Sequence, residues 1–116
     1  MVERRQFNRV TCEEKVLINF DGSIIRAKLL DISLKGAMVE FENDVTFQHG
    51  DVFNITLSLD NSDIVLQFGS KVMHRSHNVV GVKFIHIDLD SMIHLRSFIE
   101  VRSPDPEQVA KEFEYF

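Results

Sequence analysis

Two short clusters carry residue types that can do chemistry. One is Asp31-Ile32-Ser33-Leu34-Lys35-Gly36, which sets a carboxylate, a hydroxyl and a glycine between two apolar runs, Ile24–Leu30 and Ala37–Phe41. As a plain turn, its side-chain oxygens fold back onto nearby backbone N–H groups and Gly36 supplies a positive φ. As a binding surface, a carboxylate and a hydroxyl beside open N–H groups grip a flat, donor-rich ligand such as a guanine edge. The other cluster is Glu3-Arg4-Arg5-Gln6-Phe7-Asn8-Arg9, with Arg5 and Arg9 at the spacing Arg-x-x-x-Arg. A guanidinium fork donates in pairs to a phosphate or to the O6/N7 edge of guanine; lysine brings charge without the fork. The spacing suits an extended arm with Arg5, Phe7 and Arg9 on one side, or a helical turn with Arg5 and Arg9 on one face.

Arg5-x-x-x-Arg9 followed by Asp31-x-Ser33-x-x-Gly36 resembles the two-part signature of the PilZ domain, the bacterial receptor module for cyclic di-GMP. The resemblance continues through Gly81-Val82-Lys83-Phe84 and His86-Ile87-Asp88-Leu89-Asp90 and covers nearly the whole chain. It implies that Arg5 and Arg9 grip the ligand, that Asp31 and Ser33 hold the base, and that Gly36 shapes the loop. Arg4 directly precedes the motif, and in the family an arginine there accompanies two stacked, intercalated ligand molecules. Some relatives place an aromatic near the position of His74 to stack on guanine; His74 can do so, or can stand as an exposed imidazole. The implied role is a receptor or adaptor that changes conformation with its ligand and passes the signal to a protein partner.

Composition bounds the alternatives. The chain has 116 residues, 44% hydrophobic, with ten Phe, which suits one domain with one core. Its net charge of −5 repels DNA and other long nucleic acids over most of the surface, while three arginines in the first nine residues make a local patch for a small anion. A single cysteine, Cys12, fits a reducing compartment, and nothing near the start reads as a signal peptide. No apolar run approaches the roughly 20 residues of a membrane span. These features predict a soluble, cytoplasmic monomer. A small RNA-binding barrel is disfavoured by the acidic balance and by one Tyr and no Trp for stacking. A PilZ-type adaptor binding only proteins would usually lack one of the two motifs. A flavin-binding split barrel would need a phosphate loop or catalytic group, and none is evident.

The elements that must position these residues read as follows. Val16, Ile18 and Phe20 alternate; Asp21-Gly22 signals a hairpin; Ile24–Leu30 returns; Ala37, Val39 and Phe41 alternate again. Residues 43–51 form a polar loop. Phe53, Ile55, Leu57 and Leu59 alternate strictly, Ile64–His74 is a long fifth strand with a bulge signalled by Gly69, and Val79–Ile85 is the sixth. Six short strands with frequent turns predict a mainly β fold, a closed six-stranded antiparallel β-barrel of the split-barrel type. We expect a flexible ligand-binding arm over 1–9, the barrel over 10–87 and C-terminal helices over 88–116. In the first helix Asp90 caps the start and Met92, Ile93, Leu95, Phe98 and Ile99 form the apolar face; Asp105-Pro106-Glu107-Gln108 opens the second, with Val109, Phe113 and Phe116 on one stripe.

The remaining polar residues read as structural. Five histidines (49, 74, 77, 86 and 94) are scattered, and His74-x-x-His77 lacks a third ligand of clear spacing, so no metal site is expected. No cofactor and no catalytic residue is predicted: Asp88 and Asp90 are paired acids of which one caps a helix, and Cys12 has no evident base.

Overall fold

Alternating apolar residues build strands that close on themselves. The computed structural model describes residues 8–60 and 62–114. Among them are six antiparallel strands, β1 (Val10–Phe20), β2 (Ser23–Ile32), β3 (Gly36–Phe41), β4 (Val52–Ser58), β5 (Val65–Ser76) and β6 (Val79–Ile87). They form a closed barrel in the order β1-β2-β3-β6-β5-β4, with β4 pairing back onto β1 through Ile18 and Ile55. Closure pairs each strand on both sides, which removes the exposed backbone of an open edge. Two helices follow, α1 (Leu89–Arg102) and α2 (Pro106–Phe113). The fold is the predicted one.

The period-two pattern decides what lies inside. Ile18, Leu29, Val39, Ile55, Leu57 and Phe68 are buried in the barrel, and Phe68 stacks on Phe84 with ring centroids 4.7 Å apart. Each such side chain, fully buried, contributes about 1.5–3 kcal/mol. Asp21 and Gly22 both take positive φ (53° and 85°), the signature of a two-residue type I′ turn, and Phe20 pairs directly with Ser23.

The loop between β3 and β4 is less polar in effect than its composition suggests. Phe47 is buried at one end of the barrel, with its ring 4.9 Å from Phe20, 5.4 Å from Phe41 and 5.1 Å from Phe53. Arg75 Nε donates to the Phe47 carbonyl at 2.9 Å and so ties that plug to β5.

At the C-terminal end, α1 packs beside β5 and α2 packs on α1. Leu95, Phe98 and Ile99 form the buried face of α1. Ile93 does not join it and is 49% exposed, because the buried stripe passes through Leu95, Phe98 and Ile99 instead. The cap of α1 is also corrected. Asp88, not Asp90, is the extended residue before the helix; its carbonyl accepts from Met92 N–H at 2.9 Å, and Asp90 lies in the first turn, where a carboxylate complements the helix dipole. The start of α2 matches its sequence signal: Asp105 accepts from Gln108 N–H at 3.2 Å and Pro106 opens the helix. Val109 is buried on its inner side, and so is Glu112, which the stripe did not include; Phe116 lies outside the described residues.

Candidate functional site

A β-strand alternates its faces, so Asp31 should follow Leu29 into the core and His74 should follow Val72. Neither does. The β2–β3 register runs Leu29↔Val39 and then Asp31↔Met38, so Leu30 is an inserted residue. Ala37 and Val39 are buried on the inner face, which places Met38 and its partner Asp31 outside. On β5 the register runs Val72↔Val82 and then His74↔Gly81, with Met73 inserted. Two one-residue bulges therefore turn a carboxylate and an imidazole out of the barrel, a frequent use of bulges beside binding sites. The irregularity predicted at Gly69 is present, but the inserted residue is Ile85 on β6, across from Gly69 and Ser70.

The turn after β2 divides the two alternatives left open by the sequence. Ser33 is 2% exposed, and its Oγ accepts from the backbone N–H groups of Lys35 (3.1 Å) and Gly36 (3.2 Å). That hydroxyl is the turn's own fastener. The Lys35 carbonyl accepts from Phe84 N–H at 2.8 Å, which fixes the turn to β6. Asp31 does not fold back; its Oδ1 accepts from Arg9 Nη1 at 2.6 Å, with side chains 28% and 50% exposed respectively. Gly36 does not need positive φ, contrary to the turn reading. It is required for space: a Cβ there would collide with the Val82 carbonyl oxygen. A Cβ on Gly81 would likewise collide with the His74 ring.

These residues border one groove of about 920 Å³, lined by Asn8, Arg9, Ser33, Lys35, Gly36, Ala37, Met73, His74, Gly81, Val82 and Lys83. Arg9, Ser33, Gly36 and His74 are thus brought together, with Asp31 joined to the rim through Arg9. Arg4 and Arg5 lie outside the described residues. The sequence reading missed Lys35, Lys83, Met73 and Gly81 as lining residues. Lys83 carried a usable signal, since it alternates with the buried Val82 and Phe84 and so faces out. It also missed the fixture of the arm, where Asn8 is hydrogen-bonded to Glu112 of α2. The site offers cations from Arg9, Lys35 and Lys83, one exposed carboxylate and a flat imidazole over a glycine floor. That set suits an anionic, planar ligand.

Other candidates are weaker. A groove of about 770 Å³ crosses the outer face of β4, β1, β2 and β3, but its lining mixes Lys15, Arg26 and Lys28 with Glu40 and Glu42 and contains neither motif. Among the described residues no group of three or more His, Cys, Asp or Glu is placed to hold a metal ion. Burial pushes the Cys12 thiol up to about 11, with the Glu14 charge adding to the effect, so at neutral pH it is a protonated thiol and a poor nucleophile. No described helix is long and apolar enough to cross a membrane.

Comparison with known proteins agrees with this fold. In fold the chain is similar to the PilZ domain of YcgR from Escherichia coli, solved with c-di-GMP (TM-score 0.74, 18% identity, covering 94% of this chain and 98% of that one). It is also similar to the inhibitor of motility MotI/DgrA of Bacillus subtilis (TM-score 0.74, 18% identity, covering 87% of this chain). The PilZ domain of CeSA from a cellulose-synthesising bacterium is a third neighbour (TM-score 0.60, 20% identity, covering 82% of this chain and 94% of that one). The chain spans about half the length of the motility inhibitor, 52%. At these identities the structures share a fold. The sequence itself matches the PilZ domain over residues 3–101, so the chain belongs to the PilZ family.

Proposed function

We propose that this protein is a cyclic di-GMP receptor that passes its ligand state to a protein partner and catalyses no reaction itself. The observation that carries the reading is the meeting of the two motifs: Arg9 of the first lies 2.6 Å from Asp31 of the second, at the edge of the groove. An ion pair this exposed is worth about 0–1 kcal/mol, so a ligand can exchange into it at little cost. Asp31 then accepts from the N1–H and N2 amine of a guanine while Arg9 turns its fork to phosphate or to the O6/N7 edge. Lys35 and Lys83 add positive charge beside the phosphates, and His74 offers a stacking face. Ser33 acts through the turn it fastens. In this reading the leader bearing Arg4 and Arg5 closes over the ligand, with Arg4 serving a second, intercalated molecule.

YcgR was solved with c-di-GMP, which supports the ligand class. The local cations on an acidic chain support a small anion over RNA. We place the protein in the cytoplasm, in keeping with its lone cysteine, and take it to act as a monomer. Arg5→Ala, Arg9→Ala and Asp31→Ala should each weaken cyclic di-GMP binding by at least about tenfold while the barrel stays folded, since a bidentate base contact is worth about 1–3 kcal/mol. Unchanged affinity in all three would refute the site.

A further inference from the structure

Glu112 lies on α2, beyond the 3–101 span matched to the PilZ domain, and is 2% exposed. Its Oε1 and Oε2 accept from the backbone N–H of Asn8 at 3.0 and 3.1 Å, and Oε2 also accepts from Asn8 Nδ2 at 2.9 Å. Among the described residues Asn8 supplies every hydrogen bond to the Glu112 carboxylate, and no cation lies within 4.0 Å of that carboxylate. A carboxylate is expensive to bury, and here the donors that offset that cost come from the arm. The residue after Asn8 is Arg9, which lines the groove and pairs with Asp31.

We infer that Glu112 is the positioning residue of the arginine arm and makes α2 a working part of the ligand site. The inference rests on the cyclic di-GMP reading above. Bonds to both the main chain and the side chain of Asn8 fix the direction of the backbone there, so Arg9 leaves residue 8 already aimed at Asp31. Holding the arm in place beforehand removes part of the ordering cost of binding. Glutamate suits the task because converging donors meet two acceptor oxygens. The same bonds couple the site to α2, so an event at either end is felt at the other.

The test is calorimetric titration of the full chain with cyclic di-GMP, for wild type, Asn8→Asp, Glu112→Ala and the double variant Asn8→Asp with Glu112→Gln, alongside hydrogen exchange of the residue 8 backbone amide without ligand. Asn8→Asp sets two carboxylates against each other and Glu112→Ala removes both acceptor oxygens, so each weakens binding by at least about tenfold. In the double variant the amide introduced at 112 donates to the carboxylate introduced at 8, and affinity returns to within about threefold of wild type. The residue 8 amide exchanges slowly in wild type and in the double variant, and fast in both single ones. Single variants that bind as wild type does, or a double variant that stays weak, overturn the positioning role. A fast-exchanging amide in wild type overturns the clamp whatever the ligand does. A protected amide in a protein that takes up no cyclic di-GMP leaves the clamp standing and removes the ligand assignment instead.

Discussion

The imidazole of His74 lies against Gly81, at the register position that the Met73 bulge creates. The glycine is there for the ring, since its φ is not positive. Gly81→Ala should displace the imidazole, and His74→Ala should remove it. Each should weaken cyclic di-GMP binding by about fivefold or more, because a base stacked on a ring is worth about 1–3 kcal/mol. The double variant should be no weaker than the worse single one, since both remove the same contact. Titration of the three variants checks this; additive losses would mean that the two residues act separately.

Ser33 and Asp31 share a motif but should separate in their effects. Ser33→Ala leaves the N–H groups of Lys35 and Gly36 without their acceptor, in a buried turn. It should cost about 1–3 kcal/mol of stability in a denaturant titration. Asp31→Ala removes an exposed ion pair and should change stability by less than about 1 kcal/mol, while binding suffers the larger loss.

The raised Cys12 thiol gives a pH signature. Burial first, then the Glu14 charge, lift it from 9.0 to about 11. Between those values the folded state keeps a proton that the unfolded state has released, so stability falls as pH rises. The contribution is fully present below pH 9.0 and is lost as pH passes about 11. Stability should therefore decline more steeply in wild type than in Cys12→Ala across that window. Alkylation of the folded protein at pH 8 should be about a hundredfold slower than that of an unstructured cysteine peptide, following the thiolate fraction.

The barrel was legible because strict alternation, as in Phe53, Ile55, Leu57 and Leu59, has one physical reading. The turn Asp21-Gly22 and the cap Asp105-Pro106 were legible because their residues serve local backbone needs. The site was only partly so. The motifs name Arg9, Asp31, Ser33 and Gly36, but the bulges at Leu30 and Met73 that aim Asp31 and His74 outward leave no mark in composition. They arise where facing strands must keep register while one of them changes face. Phe47 was hidden in a polar stretch, because its burial depends on Phe20, Phe41 and Phe53 from other elements. Glu112 was hidden for the same reason: its partner Asn8 is 104 residues away.

The most direct measurement is calorimetric titration of the wild-type chain with cyclic di-GMP, with GMP and a short single-stranded RNA as controls. The account predicts saturable binding at micromolar strength or tighter, about −8 kcal/mol or better, for cyclic di-GMP alone. It further predicts two ligands per chain, falling to one in Arg4→Ala. No saturation by cyclic di-GMP at about a hundred times that concentration, or equal binding of GMP or RNA, would contradict it.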